Sequence, residues 1–156
     1  MRYVAFGLLL GAAVLVLRAE DFTADEMKML RDAGGWEYIT ISNPTGFQTK
    51  HPCFDGRPHP ETCRGTLFFK PDNQFVKNIY VNNLRDQRTG GYQLSDKTVI
   101  FLDEFGQKDG PYDAKLDAQN KSLTLDKQGA HMELLLEREY RRQLEQHKKK
   151  AANPQQ

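Results

Sequence analysis

Eight short segments of alternating apolar and polar residues follow Trp36, and this periodicity constrains the fold more than any other feature. A period of two predicts half-buried β-strands, because successive side chains of a strand point to opposite faces. After the second segment the connections are short and carry turn residues, Arg85-Asp86 being one predicted turn. This spacing favours antiparallel neighbours over parallel strands joined by helices. The predicted strands are 36–42, 65–70, 74–81, 89–95, 97–103, 111–117, 121–126 and 130–138.

The last of these strands indicates how the sheet buries its apolar side. Met132, Leu134, Leu136 and Arg138 share one face, and Glu133 and Glu137 lie on the other, where Leu135 is an apolar exception. One apolar and one polar face suit an antiparallel sheet wrapped around a core. Eight such strands can close on themselves, which removes exposed edges. We therefore predict an all-β protein, an eight-stranded antiparallel up-and-down barrel with a short N-terminal helix and a C-terminal helix and tail.

Helical patterns flank the strands and define the predicted organisation. Thr23 can cap a helix over 23–33, Glu26 completes a capping box, and Gly34-Gly35 ends the helix. A length of 156 residues allows one folded domain. The predicted parts are a signal peptide over 1–19, a helical segment over 20–35, the barrel over 36–138, and a charged helix with a disordered tail over 139–156.

The first residues resemble an export signal. A basic start, an apolar stretch over 4–17 and the small residue Ala19 are typical of a secretory signal peptide. The stretch is shorter than the roughly 20 apolar residues that cross a bilayer as a helix. Leu17 and Arg18 are not the small residues preferred before a cleavage site, so an uncleaved anchor stays open as the alternative. We predict an exported protein, either periplasmic or secreted.

Two cysteines lie close together in a segment rich in proline. In an oxidising compartment, Cys53 and Cys63 at this spacing predict a disulfide. The alternative is a metal site that adds His51 and His59, since two cysteines and two histidines are ligands that zinc accepts. The spacing matches no standard zinc finger, which favours the disulfide.

Gly34-Gly35-Trp36, placed after a short helix and at the start of eight strands, resembles the Gly-x-Trp signature of the lipocalins and related calycins. The resemblance covers about 36–138. It implies that Trp36 lies at the closed end of a barrel and that Arg138 packs across the indole. It also implies that the long loop over 43–64 partly covers the other end. Gly34, Trp36 and Arg138 are thus the predicted structural residues.

The barrel suggests binding of a small apolar or amphipathic ligand, because such sites are apolar with a few polar anchors. Filling of the core by the same side chains is the alternative. The candidate ligand-binding residues are Tyr38, Phe69, Phe75, Tyr80, Tyr92, Phe101, Tyr112 and Leu134.

A second hypothesis is a non-enzymatic interaction module, such as an inhibitor or envelope partner, that uses the stapled loop over 43–64 around Phe54, Arg57 and His59. No nucleophile with a base and no metal-ligand pattern stands out, so we expect no enzyme, no catalytic residue, no metal ligand and no cofactor. A net charge of +1 argues against nucleic acid as a partner. We expect no membrane contact beyond the signal segment.

Overall fold

The computed structural model describes residues 21–32, 34–42 and 50–152. The predicted signal peptide over 1–19 lies outside the described residues, as do 43–49 of the long loop and the last four residues of the tail. The described elements are α1 (Ala24–Leu30), β1 (Trp36–Ser42), β2 (Lys50–Pro52), β3 (Cys63–Phe69), β4 (Gln74–Val81), β5 (Leu84–Ser95), β6 (Thr98–Asp103), β7 (Lys108–Asp117), β8 (Ser122–Lys127), β9 (Ala130–Leu136) and α2 (Glu137–Ala152). Within the described ranges no helix is long and apolar enough to cross a membrane.

Eight of the described strands close into an antiparallel barrel, which confirms the predicted fold class. Strands β3 to β9 follow one another in chain order, and β1 pairs with both β3 and β9. The closing pair of β1 and β9 runs from Trp36 opposite Leu136 to Ser42 opposite His131. The short β2 was not predicted. It pairs with β1 at Thr40–Ser42, beyond the point where β3 leaves β1.

One predicted turn was wrong, and the predicted strand over 89–95 therefore began too late in the chain. The chain reverses at Asn82-Asn83, not at Arg85-Asp86, and β5 therefore begins at Leu84. Both asparagines have positive φ, 48° and 67°. Asparagine tolerates this left-handed conformation, which a tight two-residue hairpin requires. The correct turn extends β5 over residues that sequence reasoning left outside any strand.

Helix α1 closes one end of the barrel. Thr23 and Glu26 form the predicted capping box. Leu30 and Trp36 are both fully buried, and the indole Nε1–H of Trp36 donates to the Leu30 carbonyl at 2.9 Å. This hydrogen bond ties the indole to the last residue of α1.

The prediction that Arg138 packs across Trp36 was wrong. The last strand ends at Leu136, and Arg138 is the second residue of α2. Its side chain is 65% exposed and pairs with Asp32 at 3.4 Å. The run from Glu137 to Lys150 is made of good helix formers with acidic residues in its first turn, so the chain becomes helical as soon as strand pairing ends.

The disulfide between Cys53 and Cys63 is present, and both cysteines are buried. The metal-site alternative is wrong, because the two sulfurs bond each other. The segment that the disulfide closes lies against α2, where the rings of Phe54 and Tyr140 are 4.6 Å apart. A bonded cysteine pair is typical of an oxidising compartment.

Candidate functional site

The half of the barrel next to α1 is filled with aromatic side chains. Phe69 contacts Tyr92 and Phe101 at centroid distances of 5.1 and 5.8 Å, and Phe75 contacts Phe101 at 4.9 Å. Leu134 is fully buried in the same core. Edge and tilted ring contacts of this kind are favourable in themselves. Five of the predicted ligand-binding residues therefore lie in this packed core: Phe69, Phe75, Tyr92, Phe101 and Leu134.

The other half of the barrel contains a cavity of about 350 Å³, which we name the mouth cavity. One wall is apolar and consists of Ile41, Ile79, Val81, Ala130 and Met132. The charged part of the lining, which we name the charged wall, consists of side chains from β4, β5, β7 and β8, and Tyr112 lies beside it. Small-molecule sites have volumes of roughly 300–1,000 Å³, so the mouth cavity suits a small ligand.

The first group of charges, the β5 cluster, consists of Lys77, Asp86, Arg88 and Asp103. Asp86 accepts from Lys77 at 3.0 Å and from Arg88 at 2.8 Å, and Arg88 also faces Asp103 at 3.5 Å. Burial disfavours ionisation of Asp86, but hydrogen bonds from Arg88 and Lys77 outweigh it and hold the pKa of Asp86 below its usual range. The β5 cluster therefore holds two cations and two carboxylates, with no net charge.

The second group, the β7 cluster, consists of Asp109, Tyr112 and Lys127. The Tyr112 hydroxyl donates to Asp109 at 2.8 Å, and Lys127 forms an ion pair with the same carboxylate. The Lys127 ammonium lies 4.6 Å from the centre of the Tyr112 ring. Burial opposes ionisation of Asp109, yet Lys127 and Tyr112 lower its pKa. This cluster also has no net charge.

Tyr112 lines the mouth cavity, whereas Tyr38 belongs to the core and is not part of the lining. Both are buried, at 2% and 4% exposure. Burial raises the pKa of Tyr38, and nearby Tyr112, Asp86 and Asp109 raise it further. The Tyr112 pKa is also raised, by burial and then by Asp109. Both phenols are therefore neutral groups.

Tyr80 does not face the interior. It lies on the outside of β4, where the Arg64 guanidinium stacks 4.5 Å from its ring centre and its hydroxyl donates to Asn83 at 2.8 Å. Its neighbours Ile79 and Val81 face the mouth cavity, so strand alternation places Tyr80 outward. It lines a separate outer groove of about 550 Å³ together with Glu37 and Arg64. As a lining residue of the interior, Tyr80 was a wrong prediction.

Sequence reasoning missed the charged wall. Lys77 lies on the same strand face as Phe75 and Ile79, and Lys127 lies on the same face as Leu123 and Leu125. Period two alone therefore places both lysines inward. Asp86 and Arg88 could not be found in that way, because the misplaced turn left them outside a strand. The available signal was a charged residue at a strand position that alternation assigns to the buried face. Such residues line the cavity.

The three residues of the disulfide-closed segment that were predicted to contact a partner differ in exposure. Phe54 is 5% exposed, because Tyr140 covers it. Arg57 has an exposed side chain, and His59 lies 3.0 Å from Asp55. Of the three residues predicted to contact a partner here, only Arg57 has an exposed side chain.

Comparisons of the chain with protein-family models, with curated proteins and with solved structures find no match. The function therefore has to be inferred from the barrel and its cavity.

Proposed function

We propose that this protein is an exported, non-enzymatic, lipocalin-like barrel that binds a small amphipathic molecule in the mouth cavity. The observation that carries the proposal is the mixed lining of the cavity, which combines apolar side chains with charged ones. An amphipathic ligand satisfies both walls, because it buries its apolar part and gives the charged side chains a polar partner. A wholly apolar ligand would remove water from these ion pairs and offer them no polar group in return, which is costly.

The remaining features of the chain fit this role. Helix α1 and Trp36 close the opposite end, so a ligand enters from the end where the mouth cavity lies. The disulfide fits an oxidising compartment and so supports export. The resemblance to lipocalins at Gly34-Gly35-Trp36 agrees with a closed eight-stranded barrel.

The test is binding of short-chain amphiphiles to the wild type and to a variant whose cavity is filled. Ala130 is 7% exposed and lines the cavity, so Ala130→Phe places a ring in the space that a ligand would take. Ala151→Phe, the same substitution at an exposed position of α2, is the matched control. We expect calorimetry to detect binding to the wild type and the control, and loss of binding in Ala130→Phe. Equal binding by all three proteins, or none by the wild type, would contradict the proposal.

A second candidate function is a protein-interaction module that uses the disulfide-closed segment. The exposed side chain of Arg57 on a segment fixed by a disulfide favours it, because a braced loop loses little freedom on docking. Affinity capture from the exported fraction should then lose its partner in both Arg57→Ala and Cys53→Ser/Cys63→Ser. Capture of every partner by both variants would refute this candidate.

A further inference from the structure

We propose that the polar end of the ligand is zwitterionic, so that the mouth cavity selects a small molecule carrying both a cationic and an anionic group. The inference rests on the proposed function and names the ligand class for the same cavity. The charges of the wall, and not its apolar part, carry the argument.

The charged wall is balanced within each of its two clusters. In the β5 cluster, Asp86 lies between Lys77 and Arg88, and Arg88 also faces Asp103. In the β7 cluster, Asp109 pairs with Lys127. Among the described residues, three cations and two carboxylates line the cavity, and Asp103, which pairs with Arg88 but is not part of the lining, supplies the third carboxylate. The cavity therefore presents charges of both signs side by side, and the six charges of the two clusters sum to zero.

This arrangement of charges disfavours binding of a ligand with a single charge. An anion that approaches Lys77 or Arg88 also approaches Asp86, which lies within 3.0 Å of both cations. If the anion displaces Asp86 from its partners, it leaves a partly buried carboxylate unpaired. Removing one partner of a buried ion pair is costly. The same reasoning applies to a cation that approaches Asp109 beside Lys127.

A zwitterion avoids this cost. Its anionic group can meet a cation of one cluster while its cationic group meets the carboxylate that this cation releases. Every charge then keeps a partner of opposite sign, and a zwitterion adds no net charge to the two clusters. Charge-assisted hydrogen bonds are roughly twice as strong as neutral ones. A zwitterion therefore gains more from this wall than a sugar or an alcohol, whose hydroxyls form hydrogen bonds without a charge of their own.

The test compares hexyl amphiphiles that share one chain and differ only in the polar group. Hexylphosphocholine is zwitterionic, hexyl phosphate is anionic, hexyltrimethylammonium is cationic and hexyl glucoside is neutral. We expect calorimetry to give hexylphosphocholine the lowest Kd by roughly tenfold or more, the effect of one hydrogen bond to a charged group. Phosphocholine without a chain separates the two sources of this chemistry: binding of similar strength indicates a free zwitterion, and much weaker binding indicates a lipid head group.

The failures of the two proposals are distinguishable. If all four hexyl compounds bind with similar Kd, the cavity binds amphiphiles and the zwitterion inference is overturned. If hexyl phosphate or hexyltrimethylammonium binds tightest, the inference is also overturned. If none binds, both the inference and the proposed function fail.

Two variants alter different clusters, so if one of them fails to fold, the other still tests the inference. Lys127→Met leaves the β7 cluster with a net negative charge, so preference should move towards hexyltrimethylammonium. Asp86→Asn leaves the β5 cluster with a net positive charge, so preference should move towards hexyl phosphate. Lys148→Met, at an exposed site of α2, is the matched control and should keep the wild-type order. Retention of the wild-type order by both cavity variants, once circular dichroism shows that they are folded, would contradict the inference.

Discussion

Glu37 provides a prediction about pH that depends on one carboxyl group. It lies on the outer side of β1, in the groove lined by Arg64 and Tyr80. Burial, and then repulsion from Glu137, raise its pKa from 4.5 to about 7, although Arg141 opposes the shift. The folded protein therefore prefers the neutral acid, whereas the unfolded chain ionises near the ordinary value.

The sign of the effect on stability follows from the direction of this shift. The contribution of Glu37 is fully present below the unfolded pKa of 4.5 and is lost as the pH rises through about 7. A rise from 4.5 to about 7 corresponds to about 3 kcal/mol. Because the side chain is partly exposed, solvent screening reduces this to about 2 kcal/mol. The free energy of unfolding should fall by that amount between about pH 5 and about pH 8.

Urea unfolding of the wild type and of Glu37→Gln across this pH range measures the contribution. The variant carries no ionisable group at this site, so it should lose this pH dependence and be more stable than the wild type near pH 8 by about 2 kcal/mol. Glu145→Gln, which removes an exposed carboxylate of α2, should keep the wild-type dependence. Parallel pH curves for the wild type and Glu37→Gln would refute the reasoning.

Three further predictions concern what holds the barrel together. Cys53→Ser/Cys63→Ser should lower the free energy of unfolding by about 2–3 kcal/mol, because the closed loop no longer restricts the unfolded chain; urea titration measures it, and unchanged stability would contradict it. Trp36→Phe should cost about 2 kcal/mol, because the buried Leu30 carbonyl loses its donor and a cavity remains; a thermal midpoint equal to that of the wild type would contradict it. Tyr140→Ala removes the contact with Phe54, so amide exchange should become faster in α2 but not in β6 to β8, whereas unchanged exchange in α2 would show that the contact does not hold the helix.

Period-two alternation predicted most of the fold. The eight barrel strands and their antiparallel order could be read from the sequence, because half-buried strands repeat every two residues and short turns join neighbours. Local chemistry also identified the capping box of α1 and the disulfide. These features depend on residues that lie close together along the chain.

The wrong predictions depend on geometry that such local patterns do not contain. The turn is the exception, because Asn82-Asn83 places at both central positions a residue that tolerates positive φ, and Arg85-Asp86 does not; this local signal was overlooked. Arg138 lies at a position that alternation along β9 assigns to the inner face. The pairing of β9 with β1 ends at Leu136, however, and the residues that follow form a helix. The mouth cavity is made by side chains from six strands, and sequence patterns do not give the volume that they leave between them.

The central claim is that a small amphipathic ligand occupies the mouth cavity. The most direct measurement is the nuclear magnetic resonance shift of each backbone amide during titration of the labelled protein with hexylphosphocholine. Shifts should be largest at the backbone amides of Lys77, Arg88 and Lys127 and small at the backbone amide of Trp36. Shifts centred on the outer groove around Tyr80, or no shifts at all, would contradict it.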